Sequence, residues 1–461
     1  MASSSADRMT AVALAAGRLV VAVSLPRPTL LHPRDAIVRT IAAGICGSDL
    51  HVIHGLEGCD VGTILGHELV GVVVEAGSAS TWLLNTVVVL PFTTACGACT
   101  MCDTDLSARC PAGRLMGSRD NSVGLHGTQA EFVRVPLADT TLVPLEPSLH
   151  PEEGLLIGDI LSTAVFCALN AGVDLASCSS LANSEGGSGT VARLSRLLHD
   201  NTATTAIRAD VKQVRRRVYV VVGCGPVGLL TILAAFELEA LAAGRYASAC
   251  AQPLPIVFAV DSVPARLSVA ANAGATVLDI GALGEDGVVA AIVAASDDGA
   301  GADAVMECVG GAPPLAALHV SFRALRPGGT LASVGVPAPG TTFPFTPAQA
   351  YDKSAFGDER RLRILRDGVQ APDVQQFTNM PCTRPAPTRY VPLPVPSIRS
   401  DVQDRSLPRS LAHPPRFTVT SPKQVAKCSS TIVHDADAES HGSAFYACEC
   451  PRSRHLPQIY A

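Results

Sequence analysis

The sequence predicts an α/β protein made of a barrel-like, β-rich unit followed by a doubly wound unit with a parallel sheet. Short runs of β-forming residues, broken by Gly and Pro, fill the first third of the chain. From residue 218 onward, strand patterns alternate with helix patterns, and a glycine-rich turn joins the first strand to the first helix. We therefore divide the chain into residues 9–165, 166–217, 218–350 and 351–461.

The β-rich unit is predicted from apolar runs that are too short for helices. Few helical patterns interrupt these runs, which favours an all-β or barrel-like arrangement. The runs are residues 19–23, 36–41, 69–75, 86–90 and 131–135.

The doubly wound unit begins with the apolar strand VYVVV at residues 218–222. After the glycine-rich turn, residues 226–243 have a helix-like pattern, and IVFAVD at 256–261 predicts the second strand. Strands that alternate with helices indicate a parallel sheet with helices on both faces. The further predicted elements are helices at 266–273 and 313–325 and strands at 303–307 and 329–336.

Two segments do not fit this alternation. Residues 166–217 are predicted to be a long surface insertion or linker, because most of the segment is rich in Ser, Gly, Asn and Thr and it ends in the basic run KQVRRR. Residues 351–461 carry many prolines and little sustained periodicity, which predicts a divergent, poorly ordered tail.

The overall composition excludes several classes of partner. A net charge near −6 gives no electrostatic basis for binding nucleic acid or an anionic membrane. No apolar stretch is long enough for an uninterrupted transmembrane helix, and Arg18 interrupts the apolar N-terminal run, which also lacks an obvious cleavage motif. We therefore expect a cytoplasmic protein. In that compartment the 15 cysteines indicate metal ligands or reduced core thiols rather than disulfides.

The most specific local motif is a cluster of four cysteines in the run CGACTMCDTDLSARC. Cys96, Cys99, Cys102 and Cys110 have the spacing C-x2-C-x2-C-x7-C. Two overlapping C-x2-C pairs direct thiolates to one point and the fourth cysteine completes a tetrahedron, as in structural zinc sites. An iron–sulfur cluster uses similar spacing in a different context, and four reduced cysteines in a loop are the alternative without a metal. The spacing favours structural zinc.

A second set of candidate metal ligands is split along the chain. AGICGSDLH supplies Cys46, ILGHELVG supplies His67, and IGDILSTA supplies Asp159 as the candidate third ligand. A catalytic zinc needs about three protein ligands and an open position. Taken singly, Cys46 and His67 could be core residues, and Asp159 could be a carboxylate at a helix N-terminus. Asp49 could orient the free nitrogen of a ligand imidazole.

The third motif is the run VVVGCGPVG, which contains G-x-G-x-x-G between a predicted strand and a predicted helix. That context is the one a dinucleotide-binding fingerprint requires, because its glycines allow the pyrophosphate to approach the helix N-terminus. The second strand ends in Asp261, where a carboxylate would bind the ribose hydroxyls and repel a 2′-phosphate, favouring NAD over NADP. The gap from the glycines to Asp261 is longer than usual, which we interpret as a loop insertion; alternatively, Asp261 is only a strand-end carboxylate. The predicted cofactor-binding residues in this motif are Gly223, Gly225, Pro226, Val227 and Gly228.

Together these motifs resemble the zinc-containing medium-chain dehydrogenase/reductase family over roughly residues 9–355. The resemblance rests on the order of CGSDLH, GHE, the four cysteines, GDILST, GCGPVG, VDS followed by Arg266, ECVGG and RPGG. It implies a GroES-like β-barrel catalytic domain and a Rossmann domain, with the active site between them. An aspartate within GDILST is similar to the branch that contains formaldehyde dehydrogenases.

The resemblance also implies roles for individual residues. Cys46, His67 and Asp159 would bind the catalytic zinc, with Glu68 as a nearby or alternate ligand, so that each chain would hold two zinc ions. Ser48 would take the substrate proton and His51 would pass it towards solvent. Thr163 would lie near the nicotinamide, and Arg266 would join the cofactor-binding residues. The implied reaction is hydride transfer between a small alcohol or aldehyde and NAD, with zinc as Lewis acid.

Three departures from the family's pattern leave alternatives open. The segment before the glycine motif is long, an extra loop precedes the strand that ends in Asp261, and the chain beyond Arg361 lacks the family's closing catalytic segment. Unspliced or out-of-frame sequence would explain all three.

The alternatives to an alcohol dehydrogenase are a polyol dehydrogenase and a non-catalytic relative that binds zinc and NAD. The family's usual assembly implies a homodimer or homotetramer.

Overall fold

The computed structural model describes most of the two predicted units. The described residues are 8–104, 106–120, 123–173, 216–246, 254–297, 299–311 and 315–337, with residues 342 and 344 and the short strands at 362–364 and 448–449. Most of the predicted insertion and of the predicted tail therefore lies outside the described residues. Within the described part, no helix is both long enough and apolar enough to cross a membrane.

The N-terminal unit is built from antiparallel strands. β1 and β2 form a hairpin, and a second sheet has the order β16-β3-β4-β5-β9, with β8 also paired to β3. Valine-rich strands such as β5 suit a sheet buried on one face because β-branched side chains pack well on a pleated surface. The bounds are β1 Arg8–Leu14, β2 Val20–Pro26, β3 Ala36–Ala43, β4 Leu69–Ala76, β5 Val87–Leu90, β6 Arg119–Asp120, β7 Val123–Gly124, β8 Phe132–Val135, β9 Val143–Pro144 and β16 Cys448–Glu449.

Short helices connect and cover these strands. α4 and α5 are nearly continuous, with Asp159 in a non-helical conformation between them. α5 is apolar on most of its surface and its side chains are largely buried, because it packs between the two units. The bounds are α1 Gly47–Ile53, α2 Thr100–Asp103, α3 Ala138–Thr141, α4 Pro151–Gly158 and α5 Ile160–Asn170.

The second unit is a parallel sheet with the strand order β12-β11-β10-β13-β14-β15. All five residues of β10 are buried, as expected for a central strand covered on both faces. The chain order reverses between β10 and β13, and doubly wound sheets bind ligands at such a point, beyond the carboxyl ends of the strands. The bounds are β10 Val218–Val222, β11 Ile256–Asp261, β12 Thr276–Asp279, β13 Ala302–Glu307, β14 Leu325–Ser333 and β15 Leu362–Ile364.

Within the part of the chain that the structure describes, four helices accompany this sheet. They are α6 Pro226–Tyr246, α7 Pro264–Asn272, α8 Ile280–Ala295 and α9 Ala316–Ala324. Asp279 caps the N-terminus of α8, and its carboxylate accepts hydrogen bonds from the backbone N–H groups of Gly281 and Ala282. Such N-capping satisfies backbone donors that have no partner within the helix.

One of the hydrophobic core clusters spans both units. A single cluster of buried side chains joins Val70, Val89 and Leu169 of the N-terminal unit to Val221, Met306 and Ala332 of the parallel sheet. The thiol of Cys167 on α5 lies 3.7 Å from the carbonyl oxygen of Ala332 on β14. The predicted fold class is confirmed: an antiparallel β unit precedes a Rossmann-like doubly wound unit, and the packing holds them together.

Candidate metal centres and cofactor site

Four potential metal ligands of the N-terminal unit converge on one point. The donor atoms of Cys46, His67, Glu68 and Asp159 all lie within 4.8 Å of one another. They come from three places in the N-terminal unit: the residue before α1, the two residues before β4, and the break between α4 and α5. The structure thus brings together all four residues that the sequence singled out from three separate motifs.

Asp159 is held by groups on both sides. Its Oδ2 lies 3.3 Å from Nε2 of His67. The Thr163 hydroxyl donates to Oδ1 of Asp159 at 3.1 Å, and the Thr163 backbone N–H donates to the Asp159 carbonyl oxygen at 2.8 Å. Thr163, which the sequence predicted to lie near the nicotinamide, therefore contacts a candidate metal ligand and fixes the orientation of its carboxylate.

Asp49 organises the backbone of two ligand segments, a role that the sequence did not reveal. Its carboxylate accepts hydrogen bonds from the backbone N–H of Cys46 at 2.8 Å and of Gly66 at 2.9 Å. Its distance to Nδ1 of His67 is 4.0 Å, which is within ion-pair range but too long for a hydrogen bond. Asp49 is only 4% exposed, and through these two bonds it fixes the backbone at Cys46 and at Gly66, the residue before His67.

Glu68 points into the same cluster with one oxygen unpaired. Oε1 of Glu68 is buried and has no hydrogen-bond partner in the described structure. A Cβ atom at Gly44 would lie 1.7 Å from Oε2 of Glu68, so only glycine leaves room for this carboxylate. A buried, unpaired carboxylate oxygen is costly unless a cation or a proton compensates it.

The electrostatics of the cluster favour a bound cation. Burial and the nearby Asp159 carboxylate raise the pKa of Glu68 to about 8, and the same two causes raise the pKa of the Cys46 thiol. Burial lowers the pKa of His67, but hydrogen bonds with Asp159 and Cys46 outweigh it and raise that pKa well above the usual range. Thiolate, imidazole and carboxylate donors are the set that Zn²⁺ binds in proteins, so these residues fit zinc.

Ser48 and His51 lie on the helix that begins beside this cluster. The Ser48 hydroxyl is 3.3 Å from Nε2 of His67. His51 follows three residues later, on the same side of α1, and its ring faces Gly310, where a Cβ atom would lie 2.9 Å from Cε1 of His51. These two hydroxyl and imidazole groups therefore lie on the side of the N-terminal unit that faces the parallel sheet.

The four cysteines of the second cluster are arranged as the sequence predicts for a tetrahedral site. The distances between sulfur atoms are 3.6 Å for Cys99–Cys102, 3.8 Å for Cys99–Cys110 and 4.0 Å for Cys96–Cys102. Zinc–sulfur bonds of about 2.3 Å place the sulfurs of a tetrahedral site about 3.8 Å apart. These separations are far longer than a disulfide bond. The four thiols therefore fit a zinc ion.

The glycine-rich turn after β10 has the geometry of a nucleotide cradle. Gly223 has a φ of 90°, and its N–H donates to the carbonyl oxygen of Val260. A Cβ atom at Gly228 would lie 1.7 Å from the carbonyl oxygen of Gly223, so this glycine allows α6 to pack closely against the turn. A Cβ atom at Gly225 would meet no other atom within 4 Å, which leaves open the space that a pyrophosphate would fill.

Asp261 supports this turn through the backbone. Oδ2 accepts from the N–H of Cys224 at 2.7 Å, and Oδ1 accepts from the N–H groups of Ser262 and Val263, both at 2.8 Å. The Arg266 guanidinium lies 3.8 Å from Oδ2. A carboxylate offers about four acceptor positions, so these bonds leave about one for a further donor.

Pro226 and Val227 form the first turn of α6. Pro226 occupies the first helical position, which suits its fixed φ and missing N–H, and the Val227 carbonyl accepts from the Thr231 hydroxyl at 2.7 Å.

Sequence reasoning missed two further carboxylates near the site. Glu307, at the end of β13, accepts from the N–H of Val309 and from the Ser333 hydroxyl. Glu57 lies 3.7 Å from Nδ1 of His51. Glu307 opens the run ECVGG, one of the motifs behind the family resemblance, but no role was assigned to it, whereas nothing in the local sequence distinguishes Glu57.

Comparison with known families agrees with this architecture. The profile described as the alcohol dehydrogenase GroES-like domain matches residues 32–146. The profile described as zinc-binding dehydrogenase matches residues 241–358. The first match covers much of the antiparallel unit and the second covers most of the parallel sheet.

Individual relatives extend the similarity over most of the chain. The chain is 36% identical over 348 residues to the medium chain reductase/dehydrogenase ucsI from Acremonium sp., covering 75% of this chain and 98% of that protein. The solved structure of the alcohol dehydrogenase TADH from Thermus sp. ATN1 superposes with a TM-score of 0.61 at 30% identity, covering 80% of this chain and 86% of that one.

Similarity to formaldehyde dehydrogenases is more limited. The glutathione-independent formaldehyde dehydrogenase from Pseudomonas aeruginosa is 35% identical over 167 residues, which is 32% of this chain and 42% of that protein. This partial match supports the predicted branch only weakly. Taken with the fold and the two clusters of potential metal ligands, the family profiles and the relatives show that the chain belongs to the zinc-binding medium-chain alcohol dehydrogenase family of oxidoreductases.

Proposed function

We propose that the protein transfers a hydride between a small alcohol or aldehyde and NAD, with Cys46, His67 and Asp159 holding a catalytic zinc. The observation that supports this most is the convergence of their donor atoms on the side of the N-terminal unit that faces the parallel sheet. Glu68, with its unpaired Oε1, would serve as a nearby or alternate ligand. The four cysteines would hold a second, structural zinc.

When bound, the zinc ion supplies Lewis-acid polarisation of the substrate oxygen and the nicotinamide supplies the hydride acceptor. The residues of the chain provide positioning and proton transfer. Ser48 takes the proton of the substrate hydroxyl, and His51 passes it on towards solvent. Thr163 and Asp49 keep the ligand groups oriented through their hydrogen bonds.

The cradle around Gly225 would receive the pyrophosphate, with Gly223 and Gly228 allowing the turn and Pro226 and Val227 starting the helix. Asp261 would bind the ribose hydroxyls with its remaining acceptor position. Its negative charge would repel a 2′-phosphate, which supports NAD over NADP. Arg266 lies close enough to balance part of that charge.

The direct test is to follow absorbance of reduced nicotinamide with the zinc-loaded protein. The substrates are short primary alcohols, formaldehyde and a set of polyols, each assayed with NAD and with NADP. We expect NADH from short alcohols or from hydrated formaldehyde, and a rate with NADP at least about tenfold lower. Turnover restricted to polyols would replace the proposal with a polyol dehydrogenase. No turnover with any substrate, in protein that binds zinc and NAD, would indicate a non-catalytic relative.

A further inference from the structure

The turn after α1 folds back onto the helix residue that carries the imidazole. The backbone N–H groups of Leu56 and Glu57 both point to the carbonyl oxygen of His51, at 2.8 Å and 3.4 Å. A guanidinium nitrogen of Arg18 donates to the carbonyl oxygens of Val52 and, at 3.4 Å, of Glu57. The position of Glu57 relative to the helix is thus fixed by its own backbone and by the β1–β2 hairpin.

The Glu57 side chain reaches the His51 ring on the side of Nδ1. Oε1 of Glu57 is 3.7 Å from Nδ1, and the two side chains are 30% and 19% exposed. Elsewhere the ring meets Gly310 of the parallel-sheet unit, where a Cβ atom would lie 2.9 Å from Cε1. The imidazole therefore lies between a carboxylate and a backbone loop, with part of its surface still open to water.

We propose that Glu57 is a positioning residue for the proton relay through His51; this rests on the proposed function. The carboxylate favours the tautomer with the proton on Nδ1, which leaves the lone pair of Nε2 as the acceptor. In alcohol oxidation the Ser48 oxygen takes the substrate hydroxyl proton and gives up its own, and the relay delivers one proton to Nε2 of His51, three residues further along α1. The ring becomes a cation, the ionised carboxylate stabilises it, and the ring then releases one proton to water.

The expected loss of kcat on removing the Glu57 charge is limited by the partial exposure of this side chain. General acid–base transfer contributes about 10²–10⁴-fold to rates, and a partly exposed orienting group controls only part of that. We expect Glu57→Gln to lower kcat about three- to tenfold, with little change in KM for NAD because Glu57 lies outside the glycine cradle. Glu57→Asp should recover part of the loss, because it restores the charge on a shorter side chain.

A double-mutant cycle tests whether Glu57 acts through His51. The variants are Glu57→Gln, His51→Gln and the pair, with Glu237→Gln, an exposed carboxylate on α6, as a control for charge loss. In the His51→Gln background, Glu57→Gln should have no further effect on kcat. Equal fold losses in both backgrounds would overturn the proposal, because Glu57 would then act independently of His51.

A spectroscopic measurement tests the same contact without turnover. Long-range ¹H–¹⁵N NMR spectra of protein labelled at histidine report the neutral tautomer of each ring, and His51→Gln assigns the His51 signals. Glu57→Gln should shift His51 away from the Nδ1–H tautomer, while Glu237→Gln should not. An unchanged tautomer ratio would overturn the proposal even in a protein that shows no dehydrogenase activity, so failure of this inference can be told from failure of the proposed function.

Discussion

The glycines of the turn after β10 differ in what a side chain would meet. At Gly228 a Cβ atom would lie 1.7 Å from the carbonyl oxygen of Gly223, whereas at Gly225 it would meet no atom within 4 Å. A substitution at Gly228 therefore disturbs the packing of α6 against the turn. A substitution at Gly225 places a methyl group only in the space proposed for the pyrophosphate.

This difference predicts a loss of cofactor binding without a loss of stability. Gly225→Ala should leave the melting temperature unchanged within about 2 °C and weaken NAD binding at least about tenfold, because the methyl group blocks close approach of the pyrophosphate. Gly228→Ala should lower both. Calorimetric titration with NAD and thermal unfolding measure the two effects. Unchanged NAD affinity in Gly225→Ala would contradict the proposed cradle.

Glu307 is a buried acid whose ionisation opposes folding. Burial raises its pKa from 4.5 to about 7, although hydrogen bonds from Ser333 and from the N–H of Val309 lower it in part. Between these values the folded state binds more protons than the unfolded state. The free energy of unfolding therefore falls as pH rises through this window, and the full penalty is present above about pH 7.

Glu307→Gln should remove this pH dependence, because an amide keeps the same shape without ionising. Relative to the variant, the wild type should lose up to about 3 kcal/mol of unfolding free energy between pH 4.5 and pH 7.5. Urea unfolding at a series of pH values measures the difference between the two proteins. Parallel pH curves for the two proteins would contradict this account, because they would show that folding does not raise the pKa of Glu307.

The sequence predicted which residue types gather at the metal clusters but not how they are held. Donor type made Cys46, His67 and Asp159 candidate ligands, and the ordered motifs of the family resemblance joined them into one set. The roles of Asp49 and Gly44 depend on backbone segments that meet only in the folded chain. Glu57 likewise reaches His51 only because the turn after α1 folds back, so the local sequence does not indicate this contact.

At the scale of elements, the loop from Cys96 to Cys110 buries few side chains apart from its cysteines. The short helix α2 has no buried residue, and Cys110 is the one fully buried member of the four cysteines. An ordered loop with so small a core depends on a bound metal ion, because metal binding supplies folding free energy. This loop should therefore become less ordered when one of its four cysteine sulfur atoms is removed.

Cys99→Ser should increase amide exchange across residues 96–110 by at least about tenfold, while β10 remains protected. Cys59→Ser, at a half-buried cysteine outside both clusters, is the matched control and should leave this loop unchanged. Hydrogen-exchange mass spectrometry resolves the two regions. Protection of residues 96–110 that survives in Cys99→Ser would mean that the four thiols do not order the loop.

Element prediction succeeded where hydrophobic periodicity was strong and failed where glycine interrupts it. The strand at 218–222 is observed as predicted, because its apolar run is continuous and bounded by a turn. The helix α8 and strand β12 were not singled out. Gly281, Gly284 and Gly287 lower the helix propensity of α8, and Gly284 is non-helical with a φ of 65°. Capping by Asp279 and burial of Val288 and Ile292 outweigh that cost.

At the scale of the whole molecule, one core cluster spans both units, which composition and periodicity cannot predict. Leu169 on α5 is fully buried in the cluster that includes Val221 and Met306 of the parallel sheet. A cavity at this position removes contacts from both units at once. The two units should therefore unfold together.

Leu169→Ala should lower the free energy of unfolding by about 2–5 kcal/mol, as expected for a buried leucine. The single tryptophan, Trp82, reports the N-terminal unit, and far-ultraviolet circular dichroism reports mainly the helices around the parallel sheet. Both signals should shift to the same lower midpoint. Two separated transitions in the variant would show that the units do not share a cooperative core.

The central claim is that the chain carries two separate zinc sites, one of them at Cys46, His67 and Asp159 and facing the nucleotide-binding sheet. The most direct measurement is the zinc content per chain by mass spectrometry of dialysed protein. We predict two zinc ions for the wild type and for Cys59→Ser, and one each for Cys46→Ser and Cys99→Ser. Two zinc ions in Cys46→Ser, or a single ion in the wild type that only Cys99→Ser removes, would contradict the account.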